Sequence, residues 1–367
     1  MNKPDPATVA PASFPGVLAA YDLDPALARK VSGGLINATW RVARRDGGEA
    51  ALQKLNPIFP AVVNEDIEAV TSHLSDRGVT TPRLIRTRTG RLWHESGDEV
   101  WRLMDWIPGR TRQALESASG AAAAGRGLGR FHAALADYDQ PFRNSRPGVH
   151  DTPRHLAVLR ESLDSHRDHP DYASIAALAE TILRAADRLD PLPGDRPRVV
   201  HGDPKINNFV FDDSGRTAIA LVDLDTVARM PLHLELGDAF RSWCNPDGED
   251  TRGSVFRIDF LEAGLKGYAD TAGDRVSREE VDAIVPGIGL IITELAARFC
   301  ADALNESYFG WDPSRFASRS EHNRTRAAGQ LALLESFERA RGAAEQAVAA
   351  AFPKRGKDAS GSGPSPA

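Results

Sequence analysis

Apolar and polar positions divide the chain into a strand-rich first third and a helix-rich remainder. "TWRVARR" (39–45) and "AALQKL" (50–55) read as two strands turning around Asp46-Gly47-Gly48. In "VVNEDIEAVTSHLSDRG" (62–78) the spacing changes to that of an amphipathic helix, which stops at Gly78. "VLAAYDLDPALARKV" (17–31) reads as a further helix, and "LWHES" and "EVWRLMDWI" as strands that meet around Gly97-Asp98. From Gln113 onward the pattern is helical, except at "VVHGDPKINNFVF" (199–211) and "TAIALVDLDTV" (217–227). The expectation is an α+β chain with a β-rich N-lobe over 13–105, a join near Asp105 to Gly109, and a helical C-lobe over 106–351. The ends, 1–12 and 352–367, are rich in Pro, Ser, Ala and Gly and are predicted to be disordered tails.

Composition narrows the function classes. The chain has 367 residues, 41% of them hydrophobic, enough for a sizeable core. A net charge of −6 and the lack of a basic stripe interleaved with aromatics speak against nucleic acid as a partner. Cys244 and Cys300 have neither CxxC spacing nor zinc-ligand neighbours, which fits a reducing compartment. The N-terminus carries prolines where a signal peptide needs an apolar core, and no apolar run approaches the ~18 residues of a membrane span. A cytoplasmic monomer or weak dimer, with no membrane partner, is the expectation.

The chemistry concentrates in 199–225. His201, Asp203 and Asn208 form H-x-D-x-x-x-x-N, the spacing with which protein kinases place a base and a Mg²⁺ ligand on one loop. Asp223 follows at the end of an apolar strand, where its carboxylate can supply the second ligand that a hard, oxygen-seeking ion needs beside nucleotide phosphates. A bare Asx-turn explains the His-Gly-Asp triplet alone, but not the triplet followed in order by "VDLD". His201 suits packing under the loop and holding Asp203. Asp225 suits equally a helix cap, a solvated position or a partner of Asp223. An ammonium at Lys205, two residues past the base, can neutralise charge on transferring oxygens. Upstream, Gly33 and Gly34 can bare backbone N–H groups toward phosphates or simply close a hairpin. Lys54 with Glu68 can form the cation–carboxylate pair of a kinase small lobe, and Asp105 and Trp106 lie in a connector whose main chain can bond adenine.

With "GLINATW", "LQKLN", "DIEAVTSHL", "VWRL", "HDTP", "HGDPKINN", "VDLDT", "GDAFR" and "RFCADALNESYF" in this order, the sequence resembles the aminoglycoside phosphotransferase and choline kinase superfamily. Within it, the sequence resembles the bacterial N-acetylhexosamine 1-kinases. The resemblance implies a two-lobed protein-kinase-like fold that uses ATP and Mg²⁺ to phosphorylate the anomeric hydroxyl of a sugar, N-acetylglucosamine or N-acetylgalactosamine first. It implies Asp203 as base, Lys205 between γ-phosphate and acceptor, Asn208 and Asp223 as Mg²⁺ ligands, and Arg298 and Tyr308 at the sugar. In "HDTP", Asp or Thr before Pro153 reads as a helix cap and first turn. Two positions depart from the pattern: the family often has glutamine around Lys54, and Leu35 stands where these kinases tend to read "GHIN", with a histidine reaching the sugar. The rival readings are a kinase of an aminoglycoside, amino alcohol or other sugar, and a nucleotide-binding pseudokinase.

Overall fold

A computed structural model describes residues 13–24, 28–31, 37–144, 149–190, 192 and 196–353; Gly33, Gly34 and Leu35 lie outside them, as do 1–12 and 354–367. Helix α1 (Phe14–Ala20) is followed by β1 (Arg29–Lys30), β2 (Ala38–Ala43), β3 (Glu49–Lys54), α2 (Val63–Asp76), β4 (Leu84–Ile85), β5 (His94–Ser96) and β6 (Glu99–Asp105). The strands form one antiparallel sheet in the order β1-β2-β3-β6-β4, with β5 on β6. Because side chains alternate across a strand, Trp40, Val42, Ala50, Leu52, Trp101 and Leu103 share the outer face, where α1 covers them. The Phe14 ring lies 5.3 Å from that of Trp40, tilted by 48°, and the Tyr21 hydroxyl donates to the Trp101 carbonyl at 3.1 Å.

The helix expected over 17–31 ends at Ala20. Asp22 is left-handed (φ 56°), Leu23 bridges to Arg44, and the chain then pairs as β1. Asp24 precedes Pro25, which disfavours helical geometry at that residue, and buried Leu23 adds to the sheet's outer core instead.

The second lobe contains α3 (Ala118–Ala134), α4 (Thr152–Ser165), α5 (Tyr172–Ala186), the short strands β7 (Arg198–Val200), β8 (Phe209–Phe211), β9 (Ala218–Leu221) and β10 (Ala228–Met230), then α6 (Leu232–Trp243), α7 (Ile258–Ala272), α8 (Arg278–Asp282), α9 (Ile284–Asn305), α10 (Arg319–Arg339) and α11 (Arg341–Ala351). One correction concerns membrane-length runs. Helix α9 is long and apolar enough by composition to span a bilayer, and 83% of its most apolar window is buried inside this lobe among α4, α5, α6 and α10. It is the lobe's core. A second correction concerns the C-terminal tail, expected from 352: Phe352 is buried and packs on the main core.

Helices α3 and α7 approach until their backbones touch. A Cβ at Gly125 would lie 2.1 Å from the Gly264 carbonyl oxygen, and one at Gly267 would lie 2.2 Å from that of Ala122. Gly125→Ala is therefore expected to lower unfolding free energy by about 1–3 kcal/mol, the usual cost of overpacking. Gly253→Ala, at a site open on all sides, should stay within about 0.5 kcal/mol. Urea unfolding of both variants checks the difference.

Candidate active site

Between the lobes lies a cleft of about 270 Å³. Ala51, Gln53, Met104, Asp105 and Trp106 face it from the sheet and connector, and Lys205, Asn208 and Asp223 from below. Thus Asp105 and Trp106 stand at the predicted connector wall, opposite the loop that carries Asp203.

Helix α6 builds that loop. The buried carboxylate of Glu235 accepts from the backbone N–H groups of His201 and Gly202, both at 2.9 Å, and meets His132 at 3.2 Å; the other His132 ring nitrogen meets the Tyr268 hydroxyl at 2.8 Å. Burial alone would raise the Glu235 carboxyl, but His132 and the Gly202 N–H hold it below its ordinary range. Ser242 accepts from the Ile206 N–H at 3.2 Å, and the Trp243 indole donates to the Pro204 carbonyl at 2.9 Å. Gly202 has φ +81°, and a Cβ there would lie 2.3 Å from the Thr226 carbonyl oxygen, so only glycine fits. His201 is buried beneath, bonding the Val222 carbonyl at 2.9 Å, which ties the loop to the residue before Asp223. Burial lowers its pKa and keeps the ring neutral.

Four side chains gather at the loop's open edge. Lys205 Nζ donates to an Asp203 carboxylate oxygen at 2.5 Å, and Asn208 Nδ2 donates to the Asp203 carbonyl at 2.8 Å, leaving its amide oxygen free of that contact. Burial alone would lower the Lys205 ammonium, but the carboxylates of Asp203 and Asp223 outweigh it and hold the proton firmly. Asp223 has left-handed backbone (φ 65°, ψ 55°), a conformation costing about 1–2 kcal/mol outside glycine. Burial, and then the negative charge of Asp225, push the Asp223 carboxyl up to about 7. Such an anion is stabilised by a cation, so the donor set fits a divalent ion. Among the described residues no group of three His, Cys, Asp or Glu side chains assembles to hold a metal, so most of such an ion's ligands would come from phosphate and water.

The cation on the sheet is Arg102, not Lys54. Along β3, Ala51 and Gln53 face the cleft, whereas Lys54 shares the outer side with Leu52 and pairs with Glu99. Glu68 pairs with Arg83 and Arg86 instead. The expected Lys54–Glu68 pair is thus absent, because strand alternation turns Lys54 away. Arg102, directly across from Gln53 on β6, is fully buried and makes a two-pronged bond to Asp225, NH2 to Oδ2 at 2.7 Å. Gln53 accepts from Arg102 Nε at 2.8 Å, and Asn37 donates to Asp225 at 2.7 Å. Burial would raise the Asp225 carboxyl, but Arg102 holds it below its ordinary range.

On α9, Arg298 lies 5.8 Å from the Tyr308 ring centroid and 5.6 Å from that of Phe309. Buried Asp302 fixes this turn by accepting from the Ser307, Tyr308 and Phe309 N–H groups at 2.8–2.9 Å and from Asn323. Asp151 caps α4 by accepting from the Arg154 N–H, as "HDTP" predicts, but His150 and Thr152 instead bond Glu294, at 2.9 and 2.6 Å.

The model of the phosphotransferase enzyme family (APH) matches residues 28–276. The chain belongs to that family. A homoserine kinase from Granulibacter bethesdensis is 26% identical over 297 residues, 80% of this chain and 84% of that protein. The fold is shared with a microcompartment-associated aminopropanol kinase (TM-score 0.61, 16% identity, 89% of this chain and 97% of that one). It is also shared with the amicoumacin kinase hAmiN, solved in complex with AMP-PNP, Ca²⁺ and Ami (TM-score 0.58, 13% identity, 86% and 92%). The protein-kinase-like two-lobed architecture expected from the sequence is thus the observed one.

In this phosphotransferase, sequence reasoning missed Gln53, Arg102, Glu235, Glu294 and His150. Two had visible signals: strict alternation along β3 selects Gln53, and an arginine inside the apolar run "VWRLM" calls for a buried partner. Arg102→Met leaves Asp225 buried without its counter-ion and is expected to cost about 3–5 kcal/mol of stability. Lys54→Ala should cost about 1 kcal/mol or less and leave the KM for ATP within about twofold. Denaturant unfolding and nucleotide titration of both variants check this.

Proposed function

We propose that this small-molecule kinase transfers the γ-phosphoryl group of ATP to the anomeric hydroxyl of an N-acetylhexosamine, giving a sugar 1-phosphate. The observation that carries the acceptor assignment is Arg298 beside Tyr308 on a turn pinned by Asp302, within the segment that resembles the sugar 1-kinases. In this reading Asp203 accepts the hydroxyl proton, and Lys205 steadies charge on the transferring oxygens. Asn208 and Asp223 would hold Mg²⁺, which when bound neutralises charge on the nucleotide phosphates. Arg298 meets sugar oxygens and is a poor neighbour for a polycationic aminoglycoside. A second reading, an amino-acid alcohol as acceptor, is favoured by the homoserine kinase relative, since Arg298 also suits a carboxylate.

An acceptor panel of sugars, amino alcohols and homoserine with Mg-ATP, followed by ADP release, decides between them. A sugar 1-phosphate no longer reduces alkaline copper and loses phosphate in mild acid; a product that still reduces it rules out transfer to the anomeric oxygen. Asp203→Asn is expected to lower kcat by about 10²- to 10⁴-fold with nucleotide binding retained. Asp223→Ala should abolish the Mg²⁺-dependent part of ATP affinity in calorimetry, and unchanged affinity would remove it from the metal site.

A further inference from the structure

A second cavity, of about 160 Å³, lies beneath the turn that follows Asp223. Asn144, His150, Thr226 and Met230 contribute to its wall. It adjoins the catalytic loop: Thr226 donates to the His201 carbonyl at 3.0 Å, and a Cβ built on Gly202 would touch Thr226 and Met230. The volume equals roughly five waters at about 30 Å³ each, room for part of a small polar molecule.

The wall is built rather than incidental. The His150 side chain is only 7% exposed, and its Nδ1 bonds the carboxylate of Glu294, itself 1% exposed, at 2.9 Å. Thr152 secures the other Glu294 oxygen at 2.6 Å, so carboxylate and ring are both oriented. The ring lines the cavity, and Nε2 is the ring nitrogen that Glu294 does not engage. Asn144 is fixed by its N–H donating to Asp66 at 2.7 Å. Burial alone would lower the basicity of His150, but Glu294, with Asp238 behind it, outweighs burial and the opposing Arg298 and raises it.

From this dyad at a cavity beside the catalytic loop, we infer that His150 is an acceptor-binding residue whose Nε2 bonds an oxygen of the acceptor remote from the hydroxyl that takes the phosphoryl group. Glu294 is the positioning residue: it holds the ring and lies 3.9 Å from Arg298, so one buried carboxylate orients two groups that meet substrate. The inference rests on the sugar reading for the identity of that oxygen, a hydroxyl or the acetamido carbonyl.

The test compares wild type, His150→Ala and Glu294→Gln on N-acetylglucosamine, its monodeoxy analogues and the parent amine, by acceptor KM, calorimetric affinity and KM for ATP, with urea unfolding of each variant. His150→Ala is expected to raise the acceptor KM about 10- to 100-fold while the KM for ATP moves about twofold or less. One analogue should show the same loss with wild type and no further loss with His150→Ala, because the deleted oxygen and the ring form a pair. Glu294→Gln should weaken the same single position by a smaller factor. Equal losses for every analogue, or a parallel rise in the KM for ATP, would overturn the assignment. If wild type accepts no N-acetylhexosamine, the sugar reading fails on its own. The same comparison on homoserine and its analogues lacking the carboxylate or the amine then decides His150: one coupled group supports it, and uniform losses overturn it.

Discussion

The Arg102–Asp225 ion pair joins the two lobes through side chains that have almost no contact with water. Desolvating two ions costs several kcal/mol each and is offset only when geometry is good and the remaining donors and lone pairs are used. Here the guanidinium is shared between Asp225 and Gln53, and Asn37 takes part of the carboxylate. The pair therefore fixes a relative placement more than it adds stability. It anchors β6 to the 223–225 turn, in which Asp223, two residues before Asp225, has left-handed backbone. The usual division of labour in this architecture, a strand cation gripped by a helix carboxylate, is replaced by a strand cation gripped by the catalytic lobe itself.

The lower half of the site follows the same logic of buried charge holding backbone. Glu235 gathers two consecutive N–H groups of the catalytic loop, so a residue of α6 sets the loop's shape. Asp302 does the same for the turn carrying Tyr308, and Glu294 does it through side chains. Charged–neutral hydrogen bonds of this kind are stronger than neutral ones. Three carboxylates on two helices thus hold the catalytic loop, the Tyr308 turn and the start of α4.

How much of this was legible depends on the range of the interaction. The β2–β3 hairpin and α2 were readable because periodicity and turn residues are local, and the H-x-D-x-x-x-x-N loop because its members lie within eight residues. Helix 17–31 failed after Ala20, where Asp22 takes left-handed backbone and Leu23 makes a long-range bridge to Arg44. Lys54 was misplaced because composition named a cation while register, a property of three paired strands, decided which face it took. Arg102–Asp225 and His150–Glu294 are separated by 123 and 144 residues, and no local pattern encodes such partners.

Helix α9 has a consequence for the chain as it is made. A segment apolar enough for a bilayer leaves the ribosome after α4, α5 and α6, which cover part of it, but before α10, which covers the rest. Until α10 is synthesised, one flank of the lobe's core helix faces water, and exposed flanks of this kind promote aggregation. The stretch from α10 through Phe352 thus completes the cover over the helix that also carries Glu294, Arg298 and Asp302.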